Sequence, residues 1–171
     1  AEKDHDFNAE MAQIEKRYQE IIDGLKLDLD LSAEFDKIID DFKRKAGPNY
    51  AASRGEYLNG IVMANYLGYE FVDPTEAIRF NEAGVFDAEL TQRLLSKRLE
   101  NIERAVIPGF YGAKGDGTVV TFSRGGSDIT GSIVAKAIQA DVYENWTDVS
   151  GFLIADPRII ENPEGIDVIT Y

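Results

Sequence analysis

The residues best suited to chemistry lie in one run, Ser123-Arg124-Gly125-Gly126-Ser127-Asp128. Adjacent glycines let a backbone approach a phosphate or carboxylate closely. An arginine can grip a carboxylate through two parallel hydrogen bonds. Ahead of the run, Thr118-Val119-Val120-Thr121-Phe122 is β-branched and reads as a short buried strand. Behind it, Ile129, Ile133, Val134, Ala137 and Ile138 recur at helical spacing as far as Ala140. A strand, a Gly-Gly turn and a helix together aim free backbone N–H groups and the positive end of a helix dipole at one point. A lone Gly-Gly pair would be an ordinary strand-to-helix turn. Arg124 and Asp128 on its flanks set this one apart.

The surrounding elements must position that turn. Asp6 to Phe42 reads as a helix pair. Ile14, Tyr18, Ile21, Ile22 and Leu25 form one stripe, Phe35, Ile38, Ile39 and Phe42 another, and Ser32 can cap the second helix. Lys45-Ala46-Gly47-Pro48-Asn49 ends that pair. Ser53-Arg54-Gly55-Glu56 then opens a helix through Leu58, Ile61, Val62, Asn65, Tyr66 and Leu67, closed by Gly68. Glu56 falls in its first turn on this reading, where a carboxylate steadies the dipole or receives an ammonium group. Tyr69 to Asp73 reads as a strand. Asp87 to Asn101 reads as an amphipathic helix with Leu90, Leu94, Leu95 and Leu99 inward, and Arg104 to Phe110 as a strand broken by Pro108-Gly109. Gly112 to Gly117 forms a tight hairpin loop. Strands alternating with helices of this length predict a layered α/β domain with a mainly parallel sheet, whose ligands sit beyond the carboxyl ends of strands. Asp141 to Trp146 reads as a further strand, followed by a long loop containing Ser150-Gly151 and Asp156-Pro157, and Asp167 to Tyr171 as a last strand.

Composition narrows the function. The 171 residues suit one domain, and a net charge of −13 argues against nucleic acid and anionic membranes as partners. ATP remains compatible, because it arrives with magnesium and needs only local donors. The chain has no cysteine, which excludes thiolate metal sites, and its single histidine, His5, sits at an acidic end. A histidine-based triad and a histidine-rich metal site are therefore excluded. No apolar run approaches the ~20 residues that span a bilayer. With no signal peptide in view, a cytoplasmic enzyme or a piece of one is expected.

Ser-Arg-Gly-Gly-Ser-Asp, followed by Trp-Thr-Asp-Val-Ser-Gly-Phe and Ala-Asp-Pro-Arg, resembles the catalytic domain of the aspartate kinases, a branch of the amino-acid kinase family. Ser53-Arg54-Gly55-Glu56 and Val106-Ile107-Pro108-Gly109-Phe110 match the same domain in the same order. The resemblance is specific from Tyr50 to Tyr171 and weaker over the N-terminal helices. The arginine before Gly-Gly and the Asp-Pro-Arg ending favour the aspartate branch over the glutamate and acetylglutamate kinases. A non-catalytic nucleotide-binding module with the same fold is the alternative from another class.

The resemblance implies a three-layer α/β/α sandwich, incomplete here, with residues 1–46 as a helical pair within the kinase domain and residues 47–171 as its central and C-terminal part. It implies phosphorylation of the L-aspartate side-chain carboxylate by ATP with Mg2+, the step that opens the routes to lysine, threonine and methionine. Arg124 is expected to hold the substrate α-carboxylate and Glu56 its ammonium group. Gly125, Gly126 and Ser127 are expected to line the phosphoryl-transfer site, with Asp128 organising the charges around the γ-phosphate. Thr147, Asp148, Phe152, Asp156 and Arg158 are expected on the nucleotide side. The chemistry suits these residue types. A carboxylate nucleophile of pKa ~3.9 is already ionised near neutral pH and needs no general base. The family's lysine-bearing Gly-Gly turn has no match between Ala1 and Phe42, and its regulatory domains are not in this sequence. The chain is therefore expected to be an internal piece, inactive alone, of an enzyme that is homo-oligomeric at full length.

Overall fold

The computed structural model describes residues 7–146, 151, 153–156 and 158–166. Three helices come first: α1 (Asn8–Leu25), α2 (Ser32–Lys43) and α3 (Pro48–Leu67). Helix α1 stops where Lys26 turns left-handed and the Lys26 and Leu27 N–H groups donate back to Asp23 and Ile22. This closure satisfies carbonyls that the helix end would otherwise orphan. Gly68 closes α3 in the same way. Ser32 does not cap α2. It is the first helical residue, and its N–H and hydroxyl both donate to Asp30 Oδ1, at 2.9 and 2.6 Å. Met11, Ile22, Leu31, Phe35, Ile38, Tyr57, Leu58, Val62 and Tyr111 fuse these helices into one core, while Ile14 and Leu25 lie exposed at the edge of the predicted stripe.

The strands are short. β1 (Glu70–Phe71) pairs in parallel with β2 (Ala105–Val106), Glu70 opposite Ala105, and α4 (Ala88–Leu99) crosses between them. Asp87 caps α4 by accepting the Leu90 N–H at 3.0 Å, and Thr91, Leu95 and Leu99 form its buried stripe. β3 (Tyr111–Ala113) and β4 (Val119–Thr121) form an antiparallel hairpin, and Arg79 bridges Ala113 in parallel on its other side. Helix α5 (Gly126–Ala137) follows β4 and packs on α4. The second core cluster, Val72, Ala77, Leu95, Leu99 and Ala137, lies between these layers.

Three further expectations fail. Asp141 to Trp146 is not a strand. Val142 and Trp146 are exposed, and Tyr143 instead lays its ring over Gly131 of α5. β-branched and aromatic residues form a strand only where a neighbouring strand accepts their hydrogen bonds. Glu56 is not in a first turn, because α3 begins at Pro48, where proline's fixed φ and missing N–H suit a helix start. The inward face of α3 is also shifted: Ser53, Arg54, Tyr57, Leu58 and Val62 are buried, whereas Tyr66 and Leu67 are exposed. The predicted strand Asp167–Tyr171 lies outside the described residues.

Candidate functional site

The turn between β4 and α5 has the predicted geometry. Gly125 takes a left-handed conformation (φ 57°) at the N-cap position, and α5 starts at Gly126. Among the described residues no side chain caps the helix, so the positive end of its dipole carries no side-chain partner, with Gly126 buried and Ser127 exposed. Arg124, Ser127 and Asp128 are all exposed around it. Asp128 is steadied by Asn145, whose Nδ2 donates to Asp128 Oδ1 at 3.2 Å. The segment after α5 is thus tied to the turn without being a strand.

A second turn, Pro108-Gly109-Phe110, presses against the first. A Cβ on Gly109 would stand 2.9 Å from Ser127 Cα, and one on Gly126 would stand 2.6 Å from Phe110 Cβ. Both glycines are therefore needed for the approach of the two backbones. The pair borders an open cleft of about 420 Å3, lined by Ile107, Gly109, Ser127, Thr130, Val134 and Tyr143 among others.

Glu56 is exposed on α3, beside Tyr18, whose hydroxyl donates to the Gly55 carbonyl at 3.1 Å. Burial, helped by the Glu56 charge, pushes the Tyr18 phenol upward. What joins Glu56 to the turn is the fold. Thr121 Oγ1, at the end of β4, bonds Asn49 Oδ1 at 3.1 Å at the start of the same helix, about two turns from Glu56. Of the nucleotide-side residues, Thr147, Asp148 and Phe152 lie outside the described residues. Asp156 and Arg158 pair with each other, Arg158 Nη2 to Asp156 Oδ2 at 2.6 Å. Arg158 accordingly holds the Asp156 carboxyl below its usual range. Among the described residues no group of three or more acidic or histidine side chains could hold a metal, and no helix is long and apolar enough to cross a membrane.

Two features escaped the sequence. Arg54 is 7% exposed, with its guanidinium 4.3 Å from the Tyr50 ring centroid and 4.5 Å from that of Tyr57. Nε and Nη2 donate to Ser53 Oγ, and Nε also to the Tyr50 carbonyl. Burial pushes the Tyr50 and Tyr57 phenols up, and their hydrogen bonds to Asp41 and Glu34 push further. The signal was present in the spacing, since Tyr50, Arg54 and Tyr57 share one helix face. The other feature is Thr130. Buried at 3% exposure, it accepts the Phe110 N–H at 3.0 Å and donates to the Gly126 carbonyl at 2.7 Å. A hydroxyl able to bond the carbonyl four residues back was its only trace in the sequence.

Comparison with known proteins identifies the family and the fold. The model of the amino acid kinase family matches residues 5–171. Aspartokinase 3 of Bacillus subtilis is 40% identical over 131 residues, which cover 68% of this chain and 28% of that protein. The crystal structure of Clostridium acetobutylicum aspartate kinase superposes with a TM-score of 0.82 at 49% identity, covering 90% of this chain and 36% of that one. Aspartokinase III of Escherichia coli, solved with aspartate and ADP, superposes with a TM-score of 0.71 at 23% identity over 94% of this chain and 41% of that one, and at that identity shows the fold alone. The chain thus spans about a third of the relatives it matches.

Proposed function

The chain belongs to the amino acid kinase family, and from that premise we propose that it forms the substrate-binding part of an aspartate kinase, which transfers the γ-phosphoryl group of ATP to the side-chain carboxylate of L-aspartate. The observation that carries this reading is the left-handed Gly125 turn, which sets Arg124 beside the uncapped start of α5. Similarity to aspartate kinases at 40% and 49% identity supports the choice of substrate.

In this reading one oxygen of the ionised side-chain carboxylate bonds to the γ-phosphorus. The bond to the bridging oxygen breaks, and its electron pair leaves with ADP. The products are 4-phospho-L-aspartate and ADP. No proton need be removed, so the task of the protein is to bring two anions together and offset their repulsion. Arg124 takes the α-carboxylate and Glu56 the ammonium group. The N–H groups of Gly125, Gly126 and Ser127 face the phosphoryl group, where a preorganised dipole outweighs the same dipole in water. Asp128, oriented by Asn145, arranges the cations around the γ-phosphate. Thr147, Asp148, Phe152, Asp156 and Arg158 form the nucleotide side, with Mg2+ entering on the nucleotide. Arg158 reaches phosphate by exchanging its Asp156 partner for it. The product feeds the routes to lysine and threonine, and the whole enzyme is a homo-oligomer.

Calorimetric titration with Mg-ADP followed by L-aspartate, L-glutamate or N-acetyl-L-glutamate tests the reading. Heat selective for aspartate is expected. Preference for either glutamate compound would move the chain to another branch of the family. Nucleotide binding without any amino-acid binding would favour a non-catalytic module.

A further inference from the structure

We propose that Thr130 is a positioning residue, which sets the substrate-binding turn by locking the strained backbone of Phe110 against the head of α5. The inference rests on the reading of the Arg124 turn as the aspartate site.

Phe110 is a non-glycine residue at φ 64°, in the left-handed region. A conformation of that kind is strained for a residue with a Cβ and persists only where its surroundings impose it. Here they do so from three sides. The Phe110 N–H donates to Thr130 Oγ1 at 3.0 Å, and its carbonyl accepts the Phe122 N–H at 2.8 Å. Gly126 packs onto its Cα and Cβ. The Thr130 hydroxyl donates onward to the Gly126 carbonyl at 2.7 Å. One buried oxygen therefore links the Phe110 turn to the first residue of the helix whose N–H groups and flanking Arg124 face the ligand.

The consequence is specific. Thr130 is 3% exposed and its hydroxyl is engaged on both sides by the backbones of Phe110 and Gly126, so it acts through the turns. Without its hydroxyl the Phe110 N–H loses its partner, and the strained φ can relax. Relaxation moves Phe110 off Gly126, and Arg124 and Ser127 lose their set position. A shift of this kind weakens a ligand held by a bidentate fork more than one held by general charge.

Hydrogen exchange and titration on the 171-residue chain test the proposal together. Thr130→Val is expected to raise exchange in segments 107–112 and 122–128, leaving α1 and α2 at wild-type rates. It should also weaken L-aspartate at least tenfold while changing Mg-ADP affinity less than twofold. Thr130→Ser keeps the hydroxyl and should restore both. Unchanged exchange in Thr130→Val would overturn the proposal, as would a Ser variant as impaired as the Val variant. Should Thr130→Val fail to fold, Gly126→Ala decides, because its Cβ pushes Phe110 away with the hydroxyl intact. Wild-type aspartate affinity in that variant would overturn the proposal. If the unaltered chain binds no aspartate, the substrate reading fails, and the exchange rates alone decide the role of Thr130.

Discussion

The tripeptide Ser-Arg-Gly occurs twice, at residues 53–55 and 123–125, and the two copies meet opposite fates. The first lies inside α3, where helical backbone carries Arg54 onto the same face as Tyr50 and Tyr57 and buries it against their rings. The second ends at a glycine with φ 57°, which breaks the backbone direction and leaves Arg124 exposed beside a helix start. One arginine is spent on packing: its planar cation stacks on aromatic faces, and its N–H groups are answered by Ser53 and Tyr50. The other keeps its fork available. Residue type does not separate a buried arginine from an exposed one; the backbone that carries it does.

That contrast predicts a graded series. Arg54→Ala should cost about 3–5 kcal/mol of stability, because it opens a buried cavity and strips partners from Ser53 and the tyrosine rings. Urea unfolding that shows a loss below about 1 kcal/mol would break the contrast. The same region should set the alkaline limit. The Tyr50 and Tyr57 phenols are raised above their ordinary 10.0, so the stability they contribute is whole below about pH 10. It falls as pH climbs past 10, where the unfolded chain releases those protons first. The double variant Tyr50→Phe, Tyr57→Phe should flatten that fall in pH-dependent melting.

Arg98 offers an intermediate case. Its side chain is 30% exposed and joins Glu70 at 2.9 Å to Glu76 at 2.6 Å. Arg98→Ala should cost about 1 kcal/mol, discounted for solvent screening. Arg124→Ala should change stability by less than about 0.5 kcal/mol, as expected of an exposed side chain. The smallest effect sharpens the comparison from inside the buried region. Tyr111 is fully buried, lies under Arg54 at 5.6 Å from its ring centroid, and among the described residues its hydroxyl has no well-formed hydrogen bond, with Asp73 the carboxylate that acts on it. Tyr111→Phe should therefore be neutral or slightly stabilising, since nothing is left unpaired.

The Gly-Gly turn is legible because its information is local. Two glycines, an arginine and a strand-to-helix change in period all fall between residues 118 and 140. Helices α1, α2 and α4 were legible for the same reason. What the sequence could not show was pairing across distance. Asp141 to Trp146 has strand composition but, among the described residues, no strand beside it, so Tyr143 and Asn145 bond to α5 instead. Reading Lys45 to Asn49 as a turn puts Glu56 at a helix start, whereas Pro48 is the first residue of α3. Thr130 is not legible because its partner, the Phe110 N–H, lies 20 residues away, whereas the partners of Arg54, Tyr50 and Tyr57, share its helix face and only their burial is hidden.

Whether Arg124 grips the substrate carboxylate as a fork is decided by titrating L-aspartate into Arg124→Lys with Mg-ADP present. Lysine keeps the charge and loses the two parallel hydrogen bonds. At least a tenfold loss of aspartate affinity with an unchanged melting temperature is expected. Wild-type affinity in the lysine variant would rule the fork out.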